Sequence, residues 1–349
     1  TYSKLIVLVS MIVLLLPTLL ITAQDNTECE DGFRLFDHEL LATDPVCIPE
    51  TPQRIISLER LSFETLMSIN YLPVATASGY LENFVIDFPT ISDRIESIED
   101  IGTTVNPNAE SLLDAQPDLI FGSGPRTLEL YDELSSIAPT LLFEFDHSGQ
   151  WLDIAAFVAD AIGAEDAYQR LLADYEARLD ALRDELGGNS PIISVVRIRP
   201  SDVRLYVTDS FSGQVINSAN LPRPTSQDYT SDEMQAEFGQ QTFYPVSREN
   251  IPMADGDIIF VWITGYTPEI AAQAIDRLET LQTDPLWGAL EAVQNGNLIE
   301  VGGYWIGSSF IAAHYMLDDL FVHVAGVDPQ DVSTNPFLDT STEINESGD

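Results

Sequence analysis

The chain has 349 residues, 45% of them hydrophobic, and its 15 basic against 56 acidic side chains leave a net charge of −41. That length fits two compact domains, and that apolar fraction excludes a chain disordered throughout. The charge excludes nucleic acid and anionic membrane surfaces as partners, because both are held by clustered Lys and Arg; Lys4 is the only lysine, so every later basic side chain is an arginine.

Lys4 is followed by an apolar run over 5–21 and by the small residue Ala23 ahead of Gln24 and Asp25. Residues 1–23 therefore read as a signal peptide or, at about 17 apolar residues, as an N-terminal anchor at the short end of membrane-span length. Either way the body is exported, to the periplasm or the outer face of the cell membrane. Cys29 follows Asn26, Thr27 and Glu28 rather than small residues, which argues against lipid attachment there. Cys29 and Cys47, the only cysteines, both fall in the extension 24–51. In an oxidising compartment they pair as a structural clip; their spacing is far wider than that of a reactive CxxC pair.

From Pro52 onward short apolar runs alternate with helical patterns, the signature of βαβ units and a mostly parallel sheet. Strands are expected at 54–58, 73–77, 118–122 and 140–143, with helices at 62–70, 108–115 and 127–138. This makes a first α/β lobe, 52–149. Residues 150–188 carry sustained helical spacing through Leu171, Leu172, Tyr175, Leu179, Leu182 and Leu186, interrupted at Gly163. The part over 164–186 is about 34 Å long at 1.5 Å per residue. Gly187, Gly188, Asn189 and Pro191 end it. A second α/β lobe, 189–327, is expected from strands at 192–198, 203–207, 257–262 and 297–301 and helices at 269–280 and 308–325. Residues 328–349 form an acidic, loose tail. The fold class is α/β, two Rossmann-like lobes joined by a long rigid interdomain helix, with a ligand cleft between the lobes.

Several segments in this order resemble the iron-siderophore and vitamin B12 class of ABC-importer substrate-binding proteins. They are Pro52-Gln53-Arg54-Ile55-Ile56-Ser57-Leu58, Asn108-Ala109-Glu110-Ser111-Leu112-Leu113 with Gln116-Pro117-Asp118-Leu119-Ile120, Ile137-Ala138-Pro139-Thr140, Val246-Ser247-Arg248-Glu249-Asn250-Ile251, and Pro285-Leu286-Trp287. The resemblance spans roughly 52–327 and implies a monomeric, non-catalytic protein without a cofactor, closing modestly on a ferric siderophore. Its partners are then an ABC permease and the permease's ATPase. It also implies that one surface glutamate per lobe meets permease arginines, here Glu110 and Glu249; a carboxylate in a first helical turn is equally favoured by capping and the helix dipole. Cobalamin and haem are alternative ligands of the same class. An extracellular scaffold module that kept the fold without transport is the alternative of another class.

For the ligand, Arg197 and Arg199 alternate onto one face of the strand 192–198, with Arg204 just after the turn. An inward guanidinium in so acidic a chain makes a local positive site for an anionic or oxygen-rich chelate, and the resemblance favours Arg199. Tyr80, Arg126, Trp262, Tyr304 and Trp305 all follow or end strands, at the edge where open parallel sheets bind ligands, and aromatic rings supply rigid walls there; each of them also fits core or loop packing. Trp287 is assigned to helix packing. Enzymatic readings lack their motifs: Gly122, Gly124, Gly302 and Gly303 make neither a dinucleotide fingerprint nor a phosphate loop, and Gly307-Ser308-Ser309 lacks the second glycine of a nucleophile elbow. His38, His147, His314 and His323 are dispersed and form no short metal motif; Tyr and carboxylate ligation of bare Fe(III) stays open.

Overall fold

A computed structural model describes residues 29–338 apart from 78, 105 and 264–267, and not the side chains of 126, 268 and 269; the expected signal or anchor and the end of the acidic tail lie outside the described residues. Among the described residues no helix is long and apolar enough to cross a membrane.

The extension is a hairpin of β1 (Phe33–Phe36) and β2 (Val46–Pro49), with Leu35 opposite Cys47. The Cys29–Cys47 disulfide ties the segment before β1 to β2. Phe36 and Ile48 turn inward against Phe157, so the hairpin is seated on the first lobe by its apolar face.

In the first lobe β3 (Ile55–Ser57), β4 (Ala75–Thr76) and β5 (Glu99–Asp100) join β8 (Leu119–Ser123) and β9 (Thr140–Phe143) in a parallel sheet ordered β5-β4-β3-β8-β9. A small antiparallel pair, β6 (Gly102–Thr103) and β7 (Asn106–Pro107), leads into helix α3 described below. β3 and β9 are buried throughout, as a strand covered on both faces requires. The second sheet is ordered β12-β11-β10-β13-β14, from β10 (Ile193–Ile198), β11 (Val203–Tyr206), β12 (Phe243–Val246), β13 (Ile258–Ile263) and β14 (Leu298–Val301). Here β10, β13 and β14 pair in parallel, while β11 pairs antiparallel with both β10 and β12.

The helices that position the cleft are α1 (Arg60–Ser68), α2 (Tyr80–Asp87), α3 (Ala109–Asp114), α4 (Trp151–Ala161), α5 (Glu165–Leu186), α6 (Phe211–Ser218) and α7 (Phe310–Leu320). The long helix α5 stops where Gly187 takes a left-handed conformation, φ 57°, a position that favours glycine. The single helix expected over 127–138 is instead two, Gly124–Leu128 and Tyr131–Ser135, because Leu130 leaves the helical region at ψ 2°. The helix expected over 308–325 passes from α7 into a wider turn, Phe321–Ala325.

One apolar core runs from Phe63, Phe84 and Phe88 of the first lobe to Phe260 and Trp262 of the second. Trp151 stands at its centre, its ring 5.4 Å from Tyr175 of α5, 5.5 Å from Phe211 of α6 and 5.1 Å from Phe310 of α7. α7 packs on both α1 and α5. A shared core of this kind resists wide separation of the lobes, since close-packed interiors transmit strain rather than flow.

Candidate functional site

Three cavities open where 143–150 of the first lobe face the second. The first, about 570 Å³, is lined by Ser123, Gly124 and Pro125 at the end of β8, by 143–146 and Gln150, and across the gap by Gln241. The second, about 450 Å³, shares Asp146 and Gln241 with the first and adds His147, Asp209, Thr230, Ser231, Asp232 and Gln235. The third, about 150 Å³, lies between Ser148 and Tyr206, Phe211, Ser212, Thr242, Trp305 and Ile306. The lobes touch at its rim: the Gly149 amide donates to the Asp209 carbonyl at 3.0 Å and the Phe211 amide to Ser148 Oγ at 3.1 Å.

Behind Tyr206 the second sheet presents a row of guanidinium and aromatic groups. Strand pairing sets Arg197 of β10 beside Trp262 of β13 and opposite Arg204 of β11, and Tyr206 beside Phe243 of β12. Because side chains alternate along each strand, these residues share one face. Arg197 Nη1 donates to the Tyr206 hydroxyl at 3.2 Å, and its guanidinium lies 6.0 Å from the Trp262 ring centre. The Arg204 guanidinium stacks on Phe243 at 4.1 Å, and its Nε donates to Asp202 Oδ2 at 2.9 Å. Tyr206 packs against Trp262 with ring centres 4.7 Å apart. Two positive groups braced by aromatic faces in a low-dielectric setting suit planar, oxygen-rich anions, to which guanidinium forks bond in pairs.

The segment after β14 carries Tyr304 and Trp305 and is held from both sides. Tyr304 OH and Trp305 Nε1 donate to Asp319 Oδ2 of α7 at 3.0 and 2.7 Å. On the other side Asp87, at the end of α2, accepts the Gly303 amide and pairs with Arg60 Nη2 at 3.3 Å. Arg60 also pairs with Glu64, whose other oxygen accepts from Ser309 Oγ at 2.7 Å. Burial pushes the carboxyls of Asp87 and Asp319 up to about 6, against the hydrogen bonds that pull them down. Glu59 caps α1 by accepting from the amides of Leu61 and Ser62 at 2.5 and 2.7 Å, and burial raises it to about 7.

The structure brings some of the expected residues together and separates others. Arg197 and Trp262 adjoin, but both are buried, Trp262 completely, so they form the back of the sheet face rather than an open wall. Trp305 lines the third cavity, yet its ring is buried on Phe260 at 4.4 Å. Arg199 does not continue the face of Arg197, because β10 ends at Ile198; it sits in the turn, 3.9 Å from Asp202. Arg204 takes the place opposite Arg197 that alternation along a single strand had given to Arg199. Tyr80 opens α2 with its hydroxyl 3.3 Å from Thr104 Oγ1. The backbone of Arg126 lies in Gly124–Leu128, next to the Gly124 and Pro125 that line the first cavity; its side chain lies outside the described residues. Glu110 and Glu249 are exposed, one on each lobe. Tyr206 and Phe243 were missed; pairing the two strands around the 199–202 turn would have put Tyr206 on the face of Arg197. Among the described residues no three His, Cys, Asp or Glu side chains converge to hold a metal ion.

This architecture has counterparts of known class. The profile of a periplasmic binding protein family matches residues 87–304. The chain belongs to that family. Among its relatives, the probable siderophore-binding lipoprotein YfiY of Bacillus subtilis is 31% identical over 276 residues, covering 78% of this chain and 82% of the relative. The achromobactin-binding periplasmic protein of Dickeya dadantii is 25% identical over 283 residues, covering 79% and 87%. The crystal structure of Staphylococcus aureus SirA complexed with staphyloferrin B superposes with a TM-score of 0.70 at 22% identity, over 83% of this chain and 98% of that one. This periplasmic binding protein is thus the extracytoplasmic substrate-binding component of an ABC importer, with the two-lobed fold of its class.

Proposed function

We propose that this binding protein captures a ferric siderophore in the cleft between its lobes and hands it to an ABC permease driven by its ATPase. The observation that carries the reading is the braced pair Arg197 and Arg204 on one sheet face with Tyr206, Phe243 and Trp262. A ferric chelate with anionic oxygens matches that chemistry, and relatives named for siderophore, achromobactin and Fe(3+)-citrate binding support the same ligand class. Arg204 and Tyr206 then contact the chelate, while Arg197 and Trp262 brace them from behind. Arg199, Tyr80, Arg126, Tyr304 and Trp305 complete the rim and walls. Glu110 and Glu249 dock one lobe each on the permease, the protein acts as a monomer, and residues 1–23 direct export, either cleaved or kept as an anchor.

The test is a tryptophan-fluorescence titration of residues 24–349 with ferric citrate, a ferric hydroxamate, a ferric catecholate, haem and cobalamin, each siderophore also in its metal-free form. Saturation by one ferric chelate at submicromolar concentration, weakened about tenfold or more by Arg204→Ala, is the expected result. Saturation by haem or cobalamin alone would replace the ligand, and no response to any of them would overturn the ferric-siderophore reading.

A further inference from the structure

The segment 302–309 runs from β14 to the start of α7, and its Trp305 and Ile306 line the third cavity. It belongs to the second lobe by sequence, yet the carboxylates that hold its two ends, Gly303 and Ser309, come from the first. Asp87 of α2 accepts the Gly303 amide, and Glu64 of α1 accepts from Ser309 Oγ at 2.7 Å. Ser309 Oγ also accepts the Ala312 amide at 3.2 Å, so its bond to Glu64 fixes the cap of α7 as well. Arg60 joins the two clamps, its Nε paired with Glu64 and its Nη2 with Asp87 at 3.3 Å. One guanidinium therefore spans two buried carboxylates that grip the same piece of chain.

Between the clamps the backbone is strained. Ser308 is buried with φ 136°, in the region that favours glycine. A serine keeps such a conformation only where its surroundings over-determine it. The Glu64 bond to the next residue, Ser309, supplies that constraint on one side, and the Asp87 bond to Gly303 supplies it on the other. Taking charges out of water is costly, so a buried cluster of two carboxylates and one arginine is a poor way to add stability alone. Directional bonds to a strained segment are what it provides that apolar packing does not.

We propose that Arg60 is a positioning residue for ligand binding: through Glu64 and Asp87 it holds 302–309 in the strained conformation that presents Trp305 and Ile306 to the cleft, and the segment relaxes when that grip is lost. This rests on the reading of the cleft as a ferric-siderophore site. It puts one determinant of affinity outside the cavities, on the first lobe, acting on a wall that the second lobe supplies.

The experiment compares wild type, Arg60→Lys, Glu64→Gln, Ser308→Gly and the double variant Arg60→Lys with Ser308→Gly. Each is titrated with ferric citrate, a ferric hydroxamate and a ferric catecholate, and amide hydrogen exchange over 302–311 without ligand and melting temperature are measured beside it. Lysine keeps the charge but lacks the fork that reaches both carboxylates. Arg60→Lys is expected to weaken chelate binding about tenfold and to speed exchange over 302–311 about tenfold, with Glu64→Gln changing both in the same direction. Glycine at 308 removes the strain, so in the Ser308→Gly background both effects of Arg60→Lys should shrink to about threefold or less. A residue that only stabilised the fold would lower affinity in step with melting temperature and would not be rescued at 308. Unchanged exchange in Arg60→Lys, faster exchange with unchanged affinity, or equal losses in the two backgrounds overturns the proposal. A wild type that binds none of the three chelates overturns the ferric-siderophore reading instead, and exchange in the two backgrounds then decides the clamp by itself.

Discussion

The Gly303 amide donates to the Asp87 carboxylate so closely that a Cβ on Gly303 would stand 2.6 Å from Asp87 Oδ1. Asp87 cannot retreat freely, because it is buried and paired with Arg60. Gly303→Ala is expected to cost about 1–3 kcal/mol by breaking the carboxylate's contacts. Because Tyr304 and Trp305 follow directly, it should weaken ligand binding as well. Urea unfolding and the fluorescence titration read the two effects, and an unchanged unfolding midpoint would mean that the side chain swings away without penalty.

Stability should rise as pH falls from 8 toward 6. Glu59, Asp87 and Asp319 are raised by burial to about 7, 6 and 6, above their ordinary values of 4.5, 3.8 and 3.8. Between those limits the folded protein binds protons that the unfolded chain does not, so their contribution is present at low pH and lost as pH rises through the folded values. Arg60 and Glu64 face Asp87, Glu64 also faces Glu59, and Asp318 faces Asp319. His314 opposes the trend, since burial and then Arg178 hold it well below 6.5; its contribution is lost as pH falls under that value. A gain of about 2 kcal/mol from pH 8 to 6, continuing toward pH 4.5 at a slope that His314 reduces, is the expected sum. Melting temperatures across pH at high salt, which screens the net charge, check it; a continuous fall from pH 8 to 6 would contradict it.

The α/β class, the long helix and eight strands of the two sheets were legible because buried parallel strands leave unbroken apolar runs and a long helix leaves a clean 3.6-residue period, whereas β5 and β12 were not read. Helices α2 and α6 were not read. In α2 the exposed outer residues, Val85 and Ile86, are themselves apolar and blur the period. In α6, Phe211-Ser212-Gly213 looks like a loop, yet Gly213 is inside the helix because a Cβ there would collide with the carbonyls of Val207 and Thr208. The arginine face was half legible. Arg197 and Arg204 could be picked out by type, but the face depends on cross-strand register, which one strand's alternation does not contain.

Removal of the disulfide should soften the extension and leave the cleft intact. Cys29 and Cys47 are 18 residues apart, a loop whose closure contributes roughly 3 kcal/mol in the chain-entropy treatment. Phe36 and Ile48 still anchor the hairpin on the first lobe. Cys47→Ser with Cys29→Ser is expected to lower the melting temperature and to speed proteolysis within 29–50, with ligand affinity unchanged. Wild-type protease resistance would assign the hairpin's order to its apolar contacts alone.

Arg178 of α5 is the side chain whose loss should cost most. It is only 3% exposed, and it donates to the Ser333 carbonyl at 3.1 Å, the His314 carbonyl at 3.0 Å and Asp318 Oδ1 at 2.5 Å. It thereby pins the long helix, α7 and the segment after Asp328 to one another. Arg178→Met keeps the volume but strands the Asp318 carboxylate, whose other oxygen accepts from Asn335 at 2.8 Å, and breaking one partner of a buried pair costs about 3–5 kcal/mol. Adding Asp318→Asn removes the stranded charge, so the double variant should recover part of the loss, and the coupling in the double-mutant cycle measures the pair. Additive losses would mean that Arg178 acts through the two carbonyls instead, and Arg178→Lys, which lacks the fork to reach three acceptors, should then destabilise almost as much as Arg178→Met.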